Sequence, residues 1–252
     1  MKRENTVSRD SIAGVWKRVV LVDGTGAEDR ESDVYWIQAS RLFADIRRHR
    51  RLTALVAGLT EEDLPFVDAF TGRLRQARDM FHWDAALRSR EHQGPPDEGR
   101  LTWAGADLHE YGVHMEYFEQ WTRVAEATAD SFAVLLEDAD HTRSAYVLSI
   151  GPYVFYGRVG LADRHANGGA DVEFSLFEAS PEGCRVVLTT ADPRHTTCPV
   201  VEFSDVAQRE AWISWPYAAG AKRREQWLVA ALEDCGTPNA QATISPKGDE
   251  MR

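Results

Sequence analysis

The stretch that decides the fold is SIAGVWKRVVLVDG, residues 11–24. It joins a serine that can cap a turn, a glycine and a tryptophan separated by one residue, and a run rich in valine and leucine. The Gly-x-Trp motif is short, since 18 glycines and 8 tryptophans among 252 residues give about 0.6 such matches by chance. The remainder of the chain therefore decides whether Gly14 and Trp16 mark the first strand of a particular fold.

The composition is that of a soluble globular protein. Hydrophobic residues make up 43% and charged residues 27% of the chain, which is enough apolar material for a sizeable core. The net charge of −11 disfavours nucleic-acid binding, which requires a basic surface. No segment has the ~20 consecutive apolar residues of a membrane helix. We therefore expect neither nucleic acid nor a membrane as a partner.

The cysteines and the N-terminal residues indicate the compartment. Cys184, Cys198 and Cys235 are too few and too far apart for a disulfide framework or a thiolate metal site. The first residues, MKRENTVSRDS, lack the apolar stretch of a signal peptide. A cytoplasmic protein is expected, and the sequence leaves its oligomeric state open.

Segments that alternate apolar and polar residues dominate the chain. They are enriched in aromatic and β-branched residues, and short runs of glycine, proline, asparagine and aspartate separate them. This rhythm predicts about ten antiparallel strands, among them residues 14–22, 33–40, 42–48, 80–89 and 116–125.

Two helices are predicted beside the strands. A short inserted helix is expected in LTEEDLPFVDAF, residues 59–70, because Thr60 can cap it with Asp63 three residues on. A C-terminal helix is expected within residues 220–236, where apolar residues share one helical face. Residues 204–215 are a further candidate for a short helix.

No linker or internal repeat divides the chain, so one domain is predicted over residues 12–236. A flexible N-terminus, residues 1–11, would precede this domain, and a polar tail, residues 237–252, would follow it. About ten strands with short connections must protect their edges. Closure into an antiparallel up-and-down barrel does so, and a sandwich is the alternative.

The chain resembles the lipocalin-like (calycin) β-barrel superfamily. The resemblance rests on Gly14-Val15-Trp16 at the entry to the first strand, followed by a meander of strands and a C-terminal helix. In that superfamily the tryptophan plugs the closed end of the barrel, often beneath a basic residue from a late strand. The resemblance gives this role to Trp16, with Arg185 as the candidate partner. The pattern VYWIQASRLFADIRR, residues 34–48, is also similar to intracellular lipocalin-like proteins of undefined role.

No metal and no cofactor is predicted from the residues. His109 and His114 lie five apart with a glycine between them, which is not a metal-ligand spacing on a helix or a strand. A glycine-rich phosphate loop and a serine nucleophile elbow are also missing. The resemblance allows haem as a minor alternative, because some intracellular barrels of this kind bind it. Its candidate ligands in loops would be His114, His165 and His195.

The strand EYFEQWTRV, residues 116–124, provides the candidate site. Tyr117, Glu119, Trp121 and Arg123 share one of its faces, which combines two large rings with an acid and a base. We predict that this face lines the cavity of the barrel, with Glu119 as the catalytic acid or base if the protein is an enzyme. The alternative is a solvated face with a Glu119–Arg123 ion pair.

Three other strands contribute candidate ligand-binding residues. Trp36 and Gln38 share a face of one strand, and Trp83 lies on an apolar face of another. Asp45 and Arg47 are same-face neighbours that form either an inward polar pair or an outward salt bridge. The predicted binding set consists of these five residues together with Tyr117, Trp121 and Arg123.

Three functions are compatible with this barrel. The first hypothesis is a binding module that holds a small apolar or aromatic molecule, which the 8 Trp, 7 Tyr and 10 Phe favour. The second is an enzyme, such as an isomerase, cyclase or lyase, that uses an acid–base pair in the same cavity. The third is an interaction scaffold whose barrel is filled by side chains, so that the volume of the cavity distinguishes it from the other two.

Overall fold

The computed structural model describes residues 6–49, 67–92, 94–159, 172–191, 197–205, 210–216 and 222–234. Within these ranges the chain forms seventeen β-strands and one turn of 3-10 helix, Asp10–Ile12, and no α-helix. The chain divides into two compact units, Met1–Glu126 and Ala127–Arg252. The mainly β fold is therefore confirmed, whereas the number of strands and their division into two sheets differ from the prediction.

Nine strands belong to the first unit and are numbered β1–β9. Their bounds are Gly14–Asp23, Glu28–Asp29, Asp33–Gln38, Leu42–Arg48, Val67–Ala77, Met80–Arg88, Glu98–Ala104, Asp107–Gly112 and Tyr117–Glu126. They pair in the order β2-β1-β3-β4-β5-β6-β7-β8-β9, and β9 pairs again with β1. Eight antiparallel strands thus close into a barrel, with the short β2 attached to β1. Closure removes the exposed edges that an open sheet would have.

β1 begins at the glycine of the Gly-x-Trp motif and pairs with β9 along most of its length. A Cβ atom added at Gly14 would lie 2.7 Å from the carbonyl oxygen of Ala125 on β9. The glycine therefore permits a close approach of the two strands that close the barrel.

Large apolar side chains fill one half of the barrel. Trp16, Trp36, Phe43 and Phe81 are at most 1% exposed and belong to a single core cluster. The ring centroids of Trp16 and Trp36 lie 6.3 Å apart in a stacked arrangement. Alternate residues of each strand point inward in this way, so the aromatic enrichment of the strands builds the interior.

Eight strands belong to the second unit and are numbered β10–β17. Their bounds are Phe132–Glu137, Ser144–Ile150, Tyr153–Val159, Val172–Ser180, Gly183–Thr189, Val200–Asp205, Glu210–Pro216 and Lys222–Asp234. They form one antiparallel half-barrel in the order β14-β13-β12-β11-β10-β17-β16-β15. The unit has its own core cluster, whose largest members include Tyr156, Phe177 and Trp227.

The predicted C-terminal helix is wrong, because Lys222–Asp234 is strand β17, paired with β10 on one side and β16 on the other. A β-bulge explains the helical appearance of the sequence. Ala230, next to Val229, is skipped in the pairing with β10. Trp227, Val229 and Leu232 all pack on the core cluster, so the extra residue changes a spacing of two into one of three. Two neighbouring strands outweigh the local helix propensity.

The other predicted helices are replaced by strands wherever they fall on described residues. Residues 67–70 begin β5, and residues 59–66 lie outside the described ranges. In the candidate at 204–215, the first two residues end β15 and residues 210–215 belong to β16, while 206–209 are not described. Each of these strands is hydrogen-bonded to a neighbour, which local propensity does not reveal.

One domain was predicted over residues 12–236, and the chain divides into two compact units after Glu126. Part of the predicted flexible N-terminus is packed, since Val7 is 4% exposed and belongs to the core cluster of the barrel. The predicted polar tail, residues 237–252, lies outside the described ranges. Among the described residues no helix is long and apolar enough to cross a bilayer.

Candidate functional site

The barrel of the first unit contains a cavity of about 460 Å³. Strands β1 and β3–β9 line it, together with residues of the connections that follow β1, β4, β6 and β8. These connections lie at the same end of the barrel because neighbouring strands are antiparallel. Exposed residues of the connections, such as Thr25 and Met115, form the mouth of the cavity.

Aromatic side chains form one part of the cavity wall: Trp36, Phe70, Trp83, Tyr117 and Trp121. The ring centroid of Trp36 lies 5.7 Å from that of Trp83 and 5.8 Å from that of Trp121, with both pairs edge-on. The indole N–H of Trp36 donates to Oε1 of Gln38 at 3.1 Å, so its polar atom already has a partner. Such a wall suits an apolar or aromatic ligand.

A buried ion triad forms a second part of the wall. Arg18 donates from Nη1 to Oε1 of Glu119 at 2.8 Å and from Nη2 to Oδ2 of Asp29 at 2.7 Å. The side chains of Arg18 and Asp29 are 3% and 4% exposed, and that of Glu119 is 12% exposed. One guanidinium thus balances two carboxylates, which leaves the triad with a formal charge of −1.

Asp45 and Arg47 form the inward polar pair, which is the first of the two alternatives that the sequence left open. Nε of Arg47 donates to Oδ1 of Asp45 at 2.6 Å, and both residues line the cavity. The guanidinium also lies over the ring of Phe70, 4.9 Å from its centroid. Burial lowers the pKa of Arg47, but the charge of Asp45 and the hydrogen bond to it raise this pKa above its ordinary value. Arg47 is therefore a permanent cation.

Glu110 faces Glu119 across the ladder between β8 and β9. It is 5% exposed, and its carboxyl group accepts hydrogen bonds from Oη of Tyr117 at 2.8 Å and from Nε1 of Trp121 at 3.1 Å. Burial, followed by the charges of Glu119 and Asp97, raises the pKa of Glu110 well above its ordinary value. The two hydrogen bonds lower this pKa but do not outweigh burial.

Glu119 has a different environment from its neighbour Glu110. Burial raises the pKa of Glu119 above its ordinary value as well, although the charges of Arg18 and Arg47 and the hydrogen bond from Arg18 oppose this rise. Glu119 thus has a guanidinium partner, whereas the donors to Glu110 among the described residues are neutral. Two carboxyls in such unequal surroundings can hold one proton on Glu110 while Glu119 remains ionised. The site can therefore offer an acid and a base side by side.

Trp16, Arg123 and the 3-10 helix close the far end of the barrel. The guanidinium of Arg123 lies 4.5 Å from the centroid of the Trp16 ring and donates from Nη2 to the carbonyl of Ser11 at 2.7 Å. Nε1 of Trp16 donates to the carbonyl of Ile12 at 2.8 Å. The basic partner of Trp16 is thus Arg123 on β9. The predicted partner Arg185 is wrong, because it lies on β14 of the second unit.

Seven of the nine predicted site residues line the cavity: Trp36, Asp45, Arg47, Trp83, Tyr117, Glu119 and Trp121. Gln38 does not, since it is fully buried and donates from Nε2 to the carbonyl of Ala39 at 3.0 Å. Arg123 does not either, because it covers Trp16. Gln38 and Arg123 lie on the same strand faces as lining residues but nearer the closed end of the barrel. They share the face that lines the cavity, but they lie beyond the part of it that reaches the cavity.

The lining residues that were missed from the sequence include Arg18, Phe70, Asp97 and Glu110. Arg18 is two residues from Trp16 on β1, so an inward Trp16 is a signal that Arg18 faces inward too. The inward position of Glu110 depends on its pairing with Glu119, which only the register reveals. Asp97 lies in the connection before β7, where no strand periodicity indicates whether a side chain points into the barrel.

Of the three histidines considered as haem ligands, only His114 lies in the described ranges. Nε2 of His114 lies 2.9 Å from Oε2 of Glu98, and both residues line the cavity. His165 and His195 lie outside the described ranges. In the part of the chain that the structure describes, no group of three or more histidine, cysteine, aspartate or glutamate side chains is arranged to hold a metal.

The fold has a counterpart among solved structures. It is similar to the crystal structure of the uncharacterized protein YLR301w from Saccharomyces cerevisiae, with a TM-score of 0.58 and 11% sequence identity. The similarity covers 87% of this chain and 98% of the yeast chain. At this identity it shows a shared β-barrel fold and nothing about activity. No protein-family model matches the chain, and no curated protein matches it in sequence.

Proposed function

We propose that this protein is a soluble intracellular β-barrel whose first unit binds a small apolar or aromatic molecule in its cavity. The observation that carries the proposal is the cavity of about 460 Å³ walled by Trp36, Trp83 and Trp121. This volume lies within the range of about 300–1,000 Å³ that is common for small-molecule pockets. A barrel that served only as a filled scaffold would have no reason to leave such a space beside three indole rings.

The two ends of the barrel support a lipocalin-like assignment of the first unit. One end is closed by Trp16 under Arg123, with the 3-10 helix accepting hydrogen bonds from both side chains. The other end carries the cavity and its mouth. A closed end and a ligand-sized space at the opposite end are what the resemblance to lipocalin-like proteins implies, and this arrangement favours binding within the barrel.

The proposal is tested with N-phenyl-1-naphthylamine, an uncharged dye that becomes fluorescent in apolar sites. Leu21 lines the cavity, and Leu21→Trp would fill part of it. Val22, the next residue of β1, does not line it, so Val22→Trp is the matched control. We expect saturable binding to the wild type and to Val22→Trp, and at least about tenfold weaker binding to Leu21→Trp. Absence of binding, or equal binding by all three proteins, would overturn the proposal; far-UV circular dichroism verifies folding.

The pairing of Glu110 with Glu119 favours an enzyme as the second candidate. Glu110 would donate its proton to a bound substrate, and Glu119 would accept one, as in isomerisation or elimination. Arg18 donates to Glu119 and would hold that carboxylate in place. Tyr117 and Trp121 do the same for Glu110. The acid–base role predicted for Glu119 is thereby extended to a pair.

A carrier and an enzyme differ in what they release on denaturation. The full chain is purified as the wild type and as Glu119→Gln, and the molecules that each releases are identified by mass and chromatography. An enzyme would retain its substrate in Glu119→Gln and a different compound, the product, in the wild type. A carrier would release the same compound from both proteins, which would remove the enzyme candidate.

A further inference from the structure

We propose that the cavity of the first unit takes an organic cation, an amine or quaternary ammonium carried on an aromatic or aliphatic body. This inference rests on the proposed function, since it specifies the ligand of that same cavity. Three observations carry it: an excess of buried carboxyl groups, arginines whose charges are already balanced, and a wall of indole rings.

The first observation is the balance of charge inside the barrel. Four carboxyl groups are buried at the cavity or directly behind it: Asp29, Asp45, Glu110 and Glu119. Two guanidinium groups, those of Arg18 and Arg47, lie among them. Ionisation of all four carboxyls would exceed the charge of the two guanidinium groups by two among these described side chains. A positively charged ligand would supply part of the missing charge.

The second observation is that both arginines of the cavity already hold carboxylates. Arg18 uses both of its terminal nitrogens on carboxylates, at 2.7 Å and 2.8 Å. Arg47 holds Asp45 at 2.6 Å and lies against the ring of Phe70. An anion bound to the terminal nitrogens of Arg18 would displace Glu119 and Asp29 from this guanidinium. An anion bound to the terminal nitrogens of Arg47, which Asp45 does not use, would enter a site already rich in carboxylates. A cation can enter without breaking either pair.

Glu110 is a buried carboxyl group that no cationic side chain among the described residues contacts. Its hydrogen-bond partners among the described residues are the phenol of Tyr117 and the indole N–H of Trp121, both uncharged. Each carboxylate oxygen can accept a second hydrogen bond, so the group retains capacity for a ligand N–H. Burial and the facing charge of Glu119 raise the pKa of Glu110, which is how a buried carboxyl responds when no cation stands beside it.

The third observation is the aromatic wall next to Glu110. Indole faces attract ammonium groups more strongly than other aromatic rings do. The N–H groups of Trp36 and Trp121 are bound to Gln38 and Glu110, so these rings are held in fixed orientations. A cation near Glu110 would therefore meet a carboxylate on one side and indole rings on the other, while its apolar body packed along the same wall.

The mouth of the cavity carries more acidic than basic side chains. Asp23, Glu98 and Glu116 line it together with His92 and His114, and Glu98 is hydrogen-bonded to His114. Among the described lining residues the only arginines are the two inside the barrel, and there is no lysine. An acidic entrance concentrates cations near the opening and speeds their association.

Isothermal titration calorimetry with three compounds of one shape tests the inference. They are 2-phenylethylamine, a cation, 2-phenylethanol, which is neutral, and phenylacetate, an anion. We expect the wild-type full chain to bind the amine at least about tenfold more tightly than the alcohol, and phenylacetate most weakly. Equal or tighter binding of the alcohol or the anion would overturn the inference.

Two variants test whether the preference for the amine depends on Glu110. Glu110→Gln should weaken binding of the amine about tenfold or more and change that of the alcohol less than about threefold. Glu28→Gln removes the same charge from an exposed position on β2 and should leave both affinities unchanged. An amine preference that survives in Glu110→Gln would contradict the role of this carboxyl.

The dye titration with Leu21→Trp separates failure of the inference from failure of the proposed function. If dye binding depends on the cavity but the amine is not preferred, only the inference that the ligand is a cation is overturned. Absence of binding of the dye and of all three phenyl compounds overturns both.

Discussion

Glu110 and Glu119 lie directly opposite each other on strands β8 and β9, and each is held by a different kind of partner. Arg18 donates to Glu119 at 2.8 Å, whereas Tyr117 and Trp121 donate to Glu110 at 2.8 Å and 3.1 Å. Two like charges at facing positions of a sheet are unfavourable, and burial makes them more so. The fold keeps this pair within a cavity, which is the reason to assign function to it.

The stability of the protein should fall as the pH rises above the ordinary range of a glutamate, and Glu110 should be one cause. The raised pKa of Glu110 means that the folded state holds a proton that the unfolded state releases near its ordinary pKa of 4.5. The stabilisation is complete below that pH and is lost as the pH rises towards the folded-state pKa. A single such group contributes up to about 1.4 kcal/mol per pH unit within this window.

Urea unfolding of Glu110→Gln between pH 4 and 8 measures this contribution. The variant should lose less stability with rising pH than the wild type, because the buried proton-binding group is gone and Glu119 has no charged neighbour across the ladder. Glu28→Gln, at an exposed position, should follow the wild-type curve. Parallel curves for all three proteins would show that Glu110 titrates normally.

Arg18 should be essential to the stability of the barrel. Arg18→Met removes the guanidinium that holds the buried carboxylates of Asp29 and Glu119, and we expect a loss of about 3–5 kcal/mol in the free energy of unfolding. Arg30→Met breaks an exposed pair with Glu28 and should change it by less than about 1 kcal/mol. Urea unfolding followed by tryptophan fluorescence gives both values.

A third variant distinguishes lost charge balance from lost packing. If uncompensated carboxylates cause the effect of Arg18→Met, then adding Glu119→Gln and Asp29→Asn should recover part of the stability. No recovery would assign the loss to the packing of the arginine side chain instead.

Arg123 should stabilise the closed end without affecting the cavity. Arg123→Leu removes the cation over Trp16 and the hydrogen bond to the carbonyl of Ser11, and we expect a loss of about 1–3 kcal/mol. The affinity for N-phenyl-1-naphthylamine should be unchanged, because Arg123 does not line the cavity. Arg185→Leu, at an exposed position in the second unit, is the control and should alter neither quantity. A large loss of dye affinity in Arg123→Leu would place this residue in the binding site.

The sequence allowed the interior of the first barrel to be predicted because its strands keep period two. Trp36, Trp83 and Trp121 all occupy the predicted inward faces. The depth of each residue along the barrel could not be predicted, because it depends on the register between strands. Gln38 and Arg123 were assigned to the site for this reason, and Glu110 was not.

The second unit was harder to predict for a different reason. Ala230 forms a bulge in β17, so that Trp227 and Leu232 both face the core although they are five positions apart. In the sequence, Trp227 and Ala231, and likewise Leu228 and Leu232, are four positions apart, which is typical of an amphipathic helix. Only the hydrogen bonds to β10 and β16 make the segment a strand, and no local pattern in the sequence reports those neighbours.

The most direct test of binding within the first barrel is fluorine NMR of the full chain labelled with 5-fluorotryptophan, with resonances assigned by Trp→Phe substitution. On addition of N-phenyl-1-naphthylamine, the resonances of Trp36, Trp83 and Trp121 should shift, because these indoles line the cavity. Those of Trp16 at the closed end and Trp227 in the second unit should remain in place. Shifts confined to Trp16 or Trp227, or no shift at all, would contradict a ligand site in this cavity.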